Sequence, residues 1–506
     1  MRSSGAWLSL LAGFSIMASE LAAGRLLAPY FGTSTPVWAT VIGSVLGALT
    51  LGAMLGGRLA GSKRGTKHAF ALLLAAGAML FLVPLCARPL MRDALSWFVT
   101  GHIFRVLAAL SAVLLMLFLP LVALGALGPV LTGNTVRRAD EAARVAARFG
   151  AAGTIGSLLG TFVSGIVLVP LFGTEFVFRI CGALTVVVGI WGLVLGASKK
   201  ELLLRRWVVA IGAVFATLMV VCPNSATFSS ASVAELETSQ NYLRVVDEGD
   251  KRKLYINDGY ATQTVAYTDG RPYLQGIWGY YGAAMGLPRT KPKRILILGL
   301  GGGASASYFA RRLEDVEIVA VESDAGVALM AKQYFALPDR VQVHVDDARR
   351  FLAADTHQYD LVLIDAFQFP YIPFQLTTQQ FFEIVQQHMS PGAALLMNVG
   401  RKGGELDVVH AVASTLQTTF PHVSGVSPSG TTNTLLVATS HPLSASVGLS
   451  FASLPDEERR VFESLSPMRP WSVPAASRRV LIDDCAPVEW LTNMIVLREI
   501  WKEMRG

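Results

Sequence analysis

The sequence has few cysteines and few charged residues, and both shortages narrow the classes of protein that it can represent. Charged residues make up 16% of the 506 residues, whereas an average soluble protein has about 25%. Four cysteines are scattered along the chain without disulfide or metal-ligand spacing: Cys86, Cys181, Cys222 and Cys485. The pattern therefore indicates neither a disulfide framework nor a metal site. Hydrophobic residues reach 52%, which points towards membrane segments.

The apolar residues are concentrated before residue 225, in stretches long enough, or nearly so, to cross a bilayer of about 30 Å. These stretches lie near 7–24, 37–60, 69–87, 106–131, 150–172, 176–197 and 207–223. We predict about seven transmembrane helices, and no cleaved signal peptide, because further spans directly follow the first. Glu20 and Arg25 lie at the end of the first span, where they form either an interfacial ion pair or a functional site.

The net charge of +7 is divided unevenly between the two halves of the chain. Through residue 230, 18 Lys and Arg stand against 6 Asp and Glu, whereas the remainder has 25 against 30. The basic excess therefore belongs to loops beside the membrane and does not indicate nucleic-acid binding. Basic clusters follow the second, fourth and sixth spans, and the positive-inside rule assigns these loops to the cytoplasm.

The second half contains a glycine-rich motif of the kind that binds nucleotides. Residues 294–303 (RILILGLGGG) predict a buried strand that turns tightly into a helix, where backbone N–H groups and the helix N-terminus can face a ligand. The next predicted strand ends at Glu322, roughly 20 residues after the glycines, a spacing that suits an acceptor for ribose hydroxyls.

Two more predicted strands also end in acidic residues. The strand at 341–345 is followed by Asp346 and Asp347, where a carboxylate can accept from an exocyclic amine of adenine, and the strand at 359–364 ends at Asp365. In an open α/β sheet such strand ends lie along the ligand crevice. The order of these acids therefore predicts a nucleoside site.

The pattern of strands and helices divides the chain into four parts. We predict a transmembrane domain at 1–230, a small β-element with its connection at 231–290, a nucleoside-binding domain at 291–440 and a tail with helical patches at 441–506. Strands and helices alternate from 293 to 440, which predicts a largely parallel sheet. The prediction for the whole chain is thus a multi-span α-helical membrane domain followed by an α/β domain.

Several motifs together resemble the spermidine synthase family, the polyamine aminopropyltransferases. They are residues 242–246 (YLRVV), 254–259 (LYINDG), 298–303 (LGLGGG), 321–322 (VE), 346–348 (DDA) and 359–365 (YDLVLID). Residues 20–25 and 481–488 (LIDDCAPV) resemble the branch of that family with a fused N-terminal membrane region.

The resemblance implies a Rossmann-like fold of the class I methyltransferase type and a sulfonium nucleoside donor, S-adenosylmethionine or its decarboxylated form, with no metal. It implies that Asp365 acts as catalytic base and that Tyr273 lies on the acceptor side. The implied donor-binding residues are Gly299, Gly301, Gly302, Gly303, Glu322, Asp346, Asp347 and Gln263.

The chain departs from the family pattern where the family binds its diamine. Ala304 and Ser305 occupy the region of an ammonium-binding Asp, and Gln368 stands where the family has a second Asp in its catalytic stretch. Because a dication needs desolvated carboxylates, we expect that free putrescine is not the acceptor. Residues 366–377 are either a lid over the crevice or a segment whose aromatics pack on the sheet.

Three functions remain open from the sequence. The first is a membrane-anchored aminopropyltransferase-like enzyme whose acceptor is an amine, a lipid or a membrane protein. The second is an S-adenosylmethionine-dependent methyltransferase acting on a lipid or a membrane protein. The third is a nucleoside-binding transporter or sensor. Homo-oligomers are possible, nucleic acid is not expected, and the side of the membrane stays open because seven spans place the C-terminal half outside while its donor is cytosolic.

Overall fold

The structure is a computed structural model, and it divides the chain into two compact units, Met1–Phe228 and Ser229–Gly506. It describes residues 2–31, 35–99, 103–196, 232–238, 240–257, 262–271, 276–367, 371–401, 405–428, 431–442, 455–463, 469–492, 494 and 498. The predicted seventh span at 207–223 lies outside the described residues.

The first unit is a bundle of long apolar helices. Its α-helices are α1 (Arg2–Phe31), α2 (Thr35–Leu59), α3 (Lys63–Val99), α4 (Ile103–Thr135), α5 (Ala142–Val163) and α6 (Val169–Gly196), with a π-helical turn at Ser164–Leu168 between the last two. Gly173, at φ 81°, turns the chain within α6.

Among the described residues, six segments are long and apolar enough to cross a membrane. They are Ser4–Ala28, Val37–Leu59, Thr66–Met91, Leu114–Thr135, Ala139–Leu168 and Leu171–Leu193. They account for the first six predicted spans. Glycines lie where these helices touch, as small residues do when backbones approach closely in lipid.

The second unit begins with an antiparallel sheet of four strands in sequence order: β1 (Ser232–Glu237), β2 (Tyr242–Glu248), β3 (Lys251–Ile256) and β4 (Thr262–Tyr267). Buried Asp324 fixes this sheet to the rest of the unit, because one of its carboxylate oxygens accepts from Thr238 Oγ1 at 2.6 Å and from Asn241 Nδ2 at 2.8 Å. The helix α7 (Gly276–Ala283) follows the described part of the sheet.

Within the described residues, the main sheet of this unit has eight strands in the order β12-β10-β11-β9-β8-β5-β6-β7. Its strands are β5 (Arg294–Leu298), β6 (Glu317–Glu322), β7 (Val341–Val345), β8 (Tyr359–Ile364), β9 (Met389–Gly400), β10 (His422–Val426), β11 (Asn433–Thr439) and β12 (Arg469–Pro470). The helices are α8 (Ala304–Arg312), α9 (Ala325–Tyr334), α10 (Ala348–Ala354), α11 (Gln379–Gln387), α12 (Asp407–Thr419) and α13 (Asp456–Glu463).

The strand directions give the sheet its fold type. Strands β5, β6, β7, β8 and β9 pair in parallel, whereas β11 runs antiparallel to both β9 and β10. Strands β6 and β7 lie on one side of β5, and the next strand along the chain, β8, pairs with β5 on the opposite side. This is the predicted class I methyltransferase-type arrangement, and the reversal between β5 and β8 is the topological switch point, where such sheets bind ligands.

The motif at 481–488 forms a strap on the second unit. Leu481 and Val488 are buried in its core, and Leu481 N donates to Thr415 Oγ1 at 2.9 Å. The two carboxylate oxygens of Asp483 accept hydrogen bonds from the two terminal nitrogens of the Arg349 guanidinium, at 2.7 and 2.6 Å. The strap thus holds α10, which begins beside two of the predicted site residues.

Candidate functional site

A cleft of about 590 Å³ opens at the carboxyl ends of the parallel strands. Its volume lies within the usual range of about 300–1,000 Å³ for small-molecule sites. Seven of the residues predicted from the sequence line it: Gly299, Gly301, Glu322, Asp346, Asp347, Asp365 and, from β4, Gln263. Parallel strand ends therefore bring together acids that are separated by more than 40 residues in the sequence.

The glycine loop needs glycine because the backbone of the Asp365 segment passes directly against it. Gly299 has φ 96°, and a Cβ built there would lie 2.2 Å from the Asp365 carbonyl oxygen. Gly303, at φ 79°, is the N-cap residue directly before α8. Gly302 N donates to Thr264 Oγ1 at 2.8 Å.

Gly302 and Gly303 therefore differ from the sequence-based expectation. Neither is among the residues that line the cleft. Both support the loop instead: Gly302 donates to Thr264, and Gly303 is the N-cap of α8.

Glu322 joins the end of β6 to the glycine loop. Its Oε2 accepts from Leu300 N at 3.1 Å and Gly301 N at 3.2 Å, and its Oε1 accepts from Asp324 N at 3.1 Å. Burial raises the pKa of the Glu322 carboxyl, and these three backbone N–H groups oppose the rise. Each carboxylate oxygen has two lone pairs, so the group can hold the loop and also accept from a ligand hydroxyl.

Two acids, Asp346 and Asp347, follow β7 and make different contacts. Asp347 is the N-cap of α10, and its Oδ1 accepts from Arg349 N at 3.0 Å and Arg350 N at 3.1 Å. Its Oδ2 lies 3.5 Å from Gln375 Nε2, at the cleft. Asp346 Oδ1 accepts from Asp347 N at 2.7 Å and also from the Arg350 side chain. One carboxylate oxygen of Asp347 thus remains directed towards the cleft side.

Asp365 lies directly after β8, where the side chains of Asn398 and Tyr281 contact its carboxylate. Asn398 Nδ2 donates to Asp365 Oδ1 at 2.9 Å, and Asn433 Nδ2 donates to Asn398 Oδ1 at 2.9 Å. Burial raises the pKa of Asp365, and Asn398 and the Tyr281 hydroxyl oppose the rise. The carboxylate is therefore fixed in orientation and is a stronger base than an exposed aspartate, as a general base requires.

The remaining predicted residues have mixed outcomes. Tyr273 and Gln368 lie outside the described residues. Ala304 and Ser305 line the cleft, so the departures from the family pattern stand at the site. In the segment 366–377, Tyr371, Ile372 and Leu376 are buried, and Phe367, Gln375 and Leu376 line the cleft. The segment therefore packs on the sheet and also forms a wall of the site.

Sequence reasoning missed several residues that shape this site. Asn398 is 4% exposed and supports Asp365, while Trp278 and Tyr281 of α7 and Gln240 and Asn241 before β2 line the cleft. The one available signal was Asn398, a lone amide within the apolar run at 393–399. Among the described residues, no group of three or more His, Cys, Asp or Glu side chains could hold a metal ion.

Residues 283–429 match the spermine/spermidine synthase domain family. A "probable polyamine aminopropyl transferase" of Bifidobacterium longum (strain NCC 2705) is 29% identical over 278 residues, which are 51% of this chain and 61% of that protein. The resemblance drawn from the motifs is thereby confirmed for the C-terminal region, which contains a spermine/spermidine synthase domain.

Two further likenesses concern the same region. A tRNA1(Val) (adenine(37)-N6)-methyltransferase of Salmonella paratyphi B (strain ATCC BAA-1250 / SPB7) is 39% identical over 100 residues, 19% of this chain and 37% of that protein. The crystal structure of a probable spermidine synthase from Corynebacterium glutamicum ATCC 13032 has a TM-score of 0.41 at 20% identity, covering 51% of this chain and 97% of that one. The chain thus spans less than two thirds of the length of both curated relatives.

Proposed function

We propose that the protein is a membrane-anchored, spermidine-synthase-like transferase that uses decarboxylated S-adenosylmethionine or a related sulfonium nucleoside. The observation that carries the proposal is the meeting of Gly299, Glu322, Asp347 and Asp365 in one cleft at the switch point of the sheet. The match of residues 283–429 to the spermine/spermidine synthase domain supports it. The six apolar helices support the membrane anchor.

In this proposal the donor lies across the glycine loop. The ribose hydroxyls donate to Glu322, the adenine amine donates to Asp347 Oδ2, and the sulfonium end points towards Asp365. The domain family and the order of the three acids along the crevice favour this orientation. Gln263 and Thr264 of β4 close the cleft over the loop, since Gly302 N is bound to Thr264 Oγ1.

The chemical step is a substitution at the carbon next to the sulfonium. An amine nitrogen of the acceptor forms a bond to that carbon, the carbon–sulfur bond breaks, and its electron pair stays on sulfur as a neutral thioether. The amine loses a proton, which Asp365 accepts. Alignment of the two partners supplies several kcal/mol of the barrier, and a general base adds roughly 10²–10⁴-fold.

The acceptor in this proposal is not free putrescine. Ala304 and Ser305 line the cleft where the family places an ammonium-binding acid, and Trp278 and Phe367 contribute aromatic surface. At an effective dielectric near 20, one charge pair at 4 Å is worth about 4 kcal/mol before desolvation. A membrane-embedded amine or lipid acceptor would be concentrated by the anchor and would not depend on a second carboxylate.

The alternative is methyl transfer from S-adenosylmethionine to a lipid or a membrane protein. The likeness to a tRNA adenine methyltransferase over 100 residues favours it, as does the small pair Ala304 and Ser305. The same donor pocket and the same base would serve both reactions, because each expels a thioether from a sulfonium.

Product analysis distinguishes the two reactions. Detergent-solubilised full-length protein is incubated with each sulfonium donor, together with a membrane extract as the source of acceptors, and the nucleoside product is identified by mass spectrometry. Methylthioadenosine supports the proposal, and adenosylhomocysteine supports the methyltransferase. If neither forms above the level of the Asp365→Asn protein, the proposed transfer is wrong.

A further inference from the structure

The helices of the first unit make the same set of close contacts twice. Where α1 meets α5, a Cβ built on Gly156 would lie 1.9 Å from Leu10 O, and one on Gly160 would lie 2.5 Å from Phe14 O. A Cβ on Gly13 would lie 2.1 Å from Gly153 O. Both helices advance in the same direction along this contact.

The contact between α4 and α2 repeats this arrangement. Cβ atoms on Gly52 and Gly56 would lie 2.3 Å from Val122 O and 2.3 Å from Ala126 O, respectively, and one on Gly125 would lie 2.9 Å from Leu49 O. The two interfaces have the same residue spacings when α1 is aligned with α4 and α5 with α2. Gly156 and Gly160 then correspond to Gly52 and Gly56, and Gly13 corresponds to Gly125. Helices α1 to α3 and α4 to α6 are therefore two copies of one three-helix arrangement.

The contact between α3 and α6 contains the symmetry axis that relates the copies. A Cβ on Gly77 would lie 2.6 Å from Gly182 O, and a Cβ on Gly182 would lie 2.7 Å from Gly77 O, which is the reciprocity of a two-fold interface. These helices run in opposite directions, since a Cβ on Gly189, which follows Gly182, would lie 3.0 Å from the carbonyl oxygen of Phe70, which precedes Gly77. Each copy has three helices, so the copies are inverted relative to each other, as in many membrane transporters.

The two copies differ in polarity at one pair of positions. Glu175 and Arg179 of α6 are 4% and 5% exposed, with a carboxylate–guanidinium distance of 3.4 Å. The glycine correspondence places Phe70 and Leu74 at the equivalent positions of α3. Because the other copy packs with apolar residues there, the architecture does not require the ion pair. Buried charge in a membrane segment is costly, and it usually marks a functional site.

More polar groups lie along the same helices. Ser19 of α1 lies against the thiol of Cys181 on α6. Ser164, in the π-helical turn, is 0% exposed, and its hydroxyl oxygen has no hydrogen-bond partner within the described part of the chain. Its neighbour Gly165 faces Leu21 of α1, since a Cβ there would lie 3.7 Å from that side chain. A buried hydroxyl without a protein partner is costly in a folded protein, and it can form a hydrogen bond with a polar ligand.

We propose that the helical unit is an inverted-repeat transport unit, with a path along α6, where this helix packs against both α1 and α3, that carries a small organic amine. The choice of an amine rests on the proposed function, in which the acceptor reacts through an amine nitrogen; putrescine and spermidine serve as soluble probes of that group and not as the acceptor of the transferase. The Glu175 carboxylate binds the ammonium group in competition with Arg179, and Ser19 and Ser164 contact it along the path. Rocking of one repeat against the other opens the path to either side.

Exchange across a membrane tests this proposal. Full-length protein is reconstituted in liposomes loaded with putrescine or spermidine, and uptake of the same radiolabelled amine is measured. We expect uptake above that of protein-free liposomes, and a loss of about tenfold or more in Glu175→Gln, because Arg179 is then buried without this carboxylate. The double variant Glu175→Phe with Arg179→Leu copies the apolar pair of α3, so it should keep the packing and lose uptake.

The controls separate this proposal from the transferase. Asp140→Asn changes an exposed acid of the same unit and should keep full uptake. Asp365→Asn should also keep uptake, while Glu175→Gln should keep transfer activity in detergent. Uptake no greater than in protein-free liposomes for both amines, by protein that still transfers, would overturn the transport proposal alone. Wild-type uptake by the double variant would overturn it as well.

Discussion

Replacement of Glu322 by alanine tests the centre of the proposed donor site. In the proposed pose, the variant leaves two ribose hydroxyls without a charged acceptor, which costs about 2–3 kcal/mol in binding. That free energy corresponds to a dissociation constant raised by about 30- to 150-fold. Methylthioadenosine is a suitable ligand, because it contains the ribose and adenine but no reactive sulfonium.

Glu322 also holds the glycine loop, so a second variant is needed to separate loop support from ribose binding. Its carboxylate accepts from three backbone N–H groups, at Leu300, Gly301 and Asp324, so the alanine variant also loosens the glycine loop. Glu322→Gln keeps the shape and one acceptor oxygen. We expect its affinity to lie between those of the wild type and Glu322→Ala, with a smaller fall in melting temperature.

A matched control is available on the same strand. Glu317 begins β6 and binds Arg294 at 2.6 Å, and it does not line the cleft. Glu317→Ala should therefore bind methylthioadenosine with unchanged affinity when measured by calorimetry in detergent. If Glu322→Ala also binds within twofold of the wild type, Glu322 does not recognise ribose and the proposed pose is wrong.

Three further predictions concern Asp365 and its surroundings. Asp365→Asn should lower kcat by at least about 10²-fold with little change in donor affinity, and equal activity would make Asp365 structural. Because burial raises the pKa of Asp365, the folded state holds its proton more tightly, so this carboxyl contributes stability at low pH that is lost as pH rises through the raised pKa. Asp365→Asn should therefore melt at a higher temperature than the wild type near neutral pH, and the difference should vanish near pH 4; a lower melting temperature at neutral pH would contradict this. Asn398→Ala removes a group that lowers the pKa of Asp365, so the acid limb of the pH–rate profile should move to higher pH, and an unmoved limb would show that Asn398 does not tune the base.

Much of the α/β fold could be predicted because its signals are local. The apolar runs before the glycines and before Asp365 form buried parallel strands, as four-residue apolar cores bounded by turn residues do. The carboxyl ends of parallel strands lie on one edge of the sheet, so Glu322, Asp347 and Asp365 had to lie near each other. Asp347 was predicted for its ligand contact, and the structure adds its role as the N-cap of α10, where its side chain accepts from backbone N–H groups in the first turn of the helix.

The surroundings of Asp365 could not be predicted because they join distant parts of the chain. Asn398 and Asn433 lie on β9 and β11, whose antiparallel pairing places Asn433 opposite Gly400. Tyr281 comes from α7, before the first strand of the sheet. No local pattern links these residues, and only the packed sheet brings them to one carboxylate.

The long apolar segments, the nucleoside-type glycine loop and the three acids at strand ends could all be predicted without a structure, because each depends on composition or short-range spacing. The symmetry of the helical unit depended on the tertiary structure. When α2 is aligned with α5, residues 48–56 (ALTLGAMLG) and 152–160 (AGTIGSLLG) share five of nine residues, but this short apolar likeness does not by itself reveal a repeat. Helix contacts set by backbone approach reveal the repeat, and they also distinguish the charged pair of α6 from the apolar pair of α3.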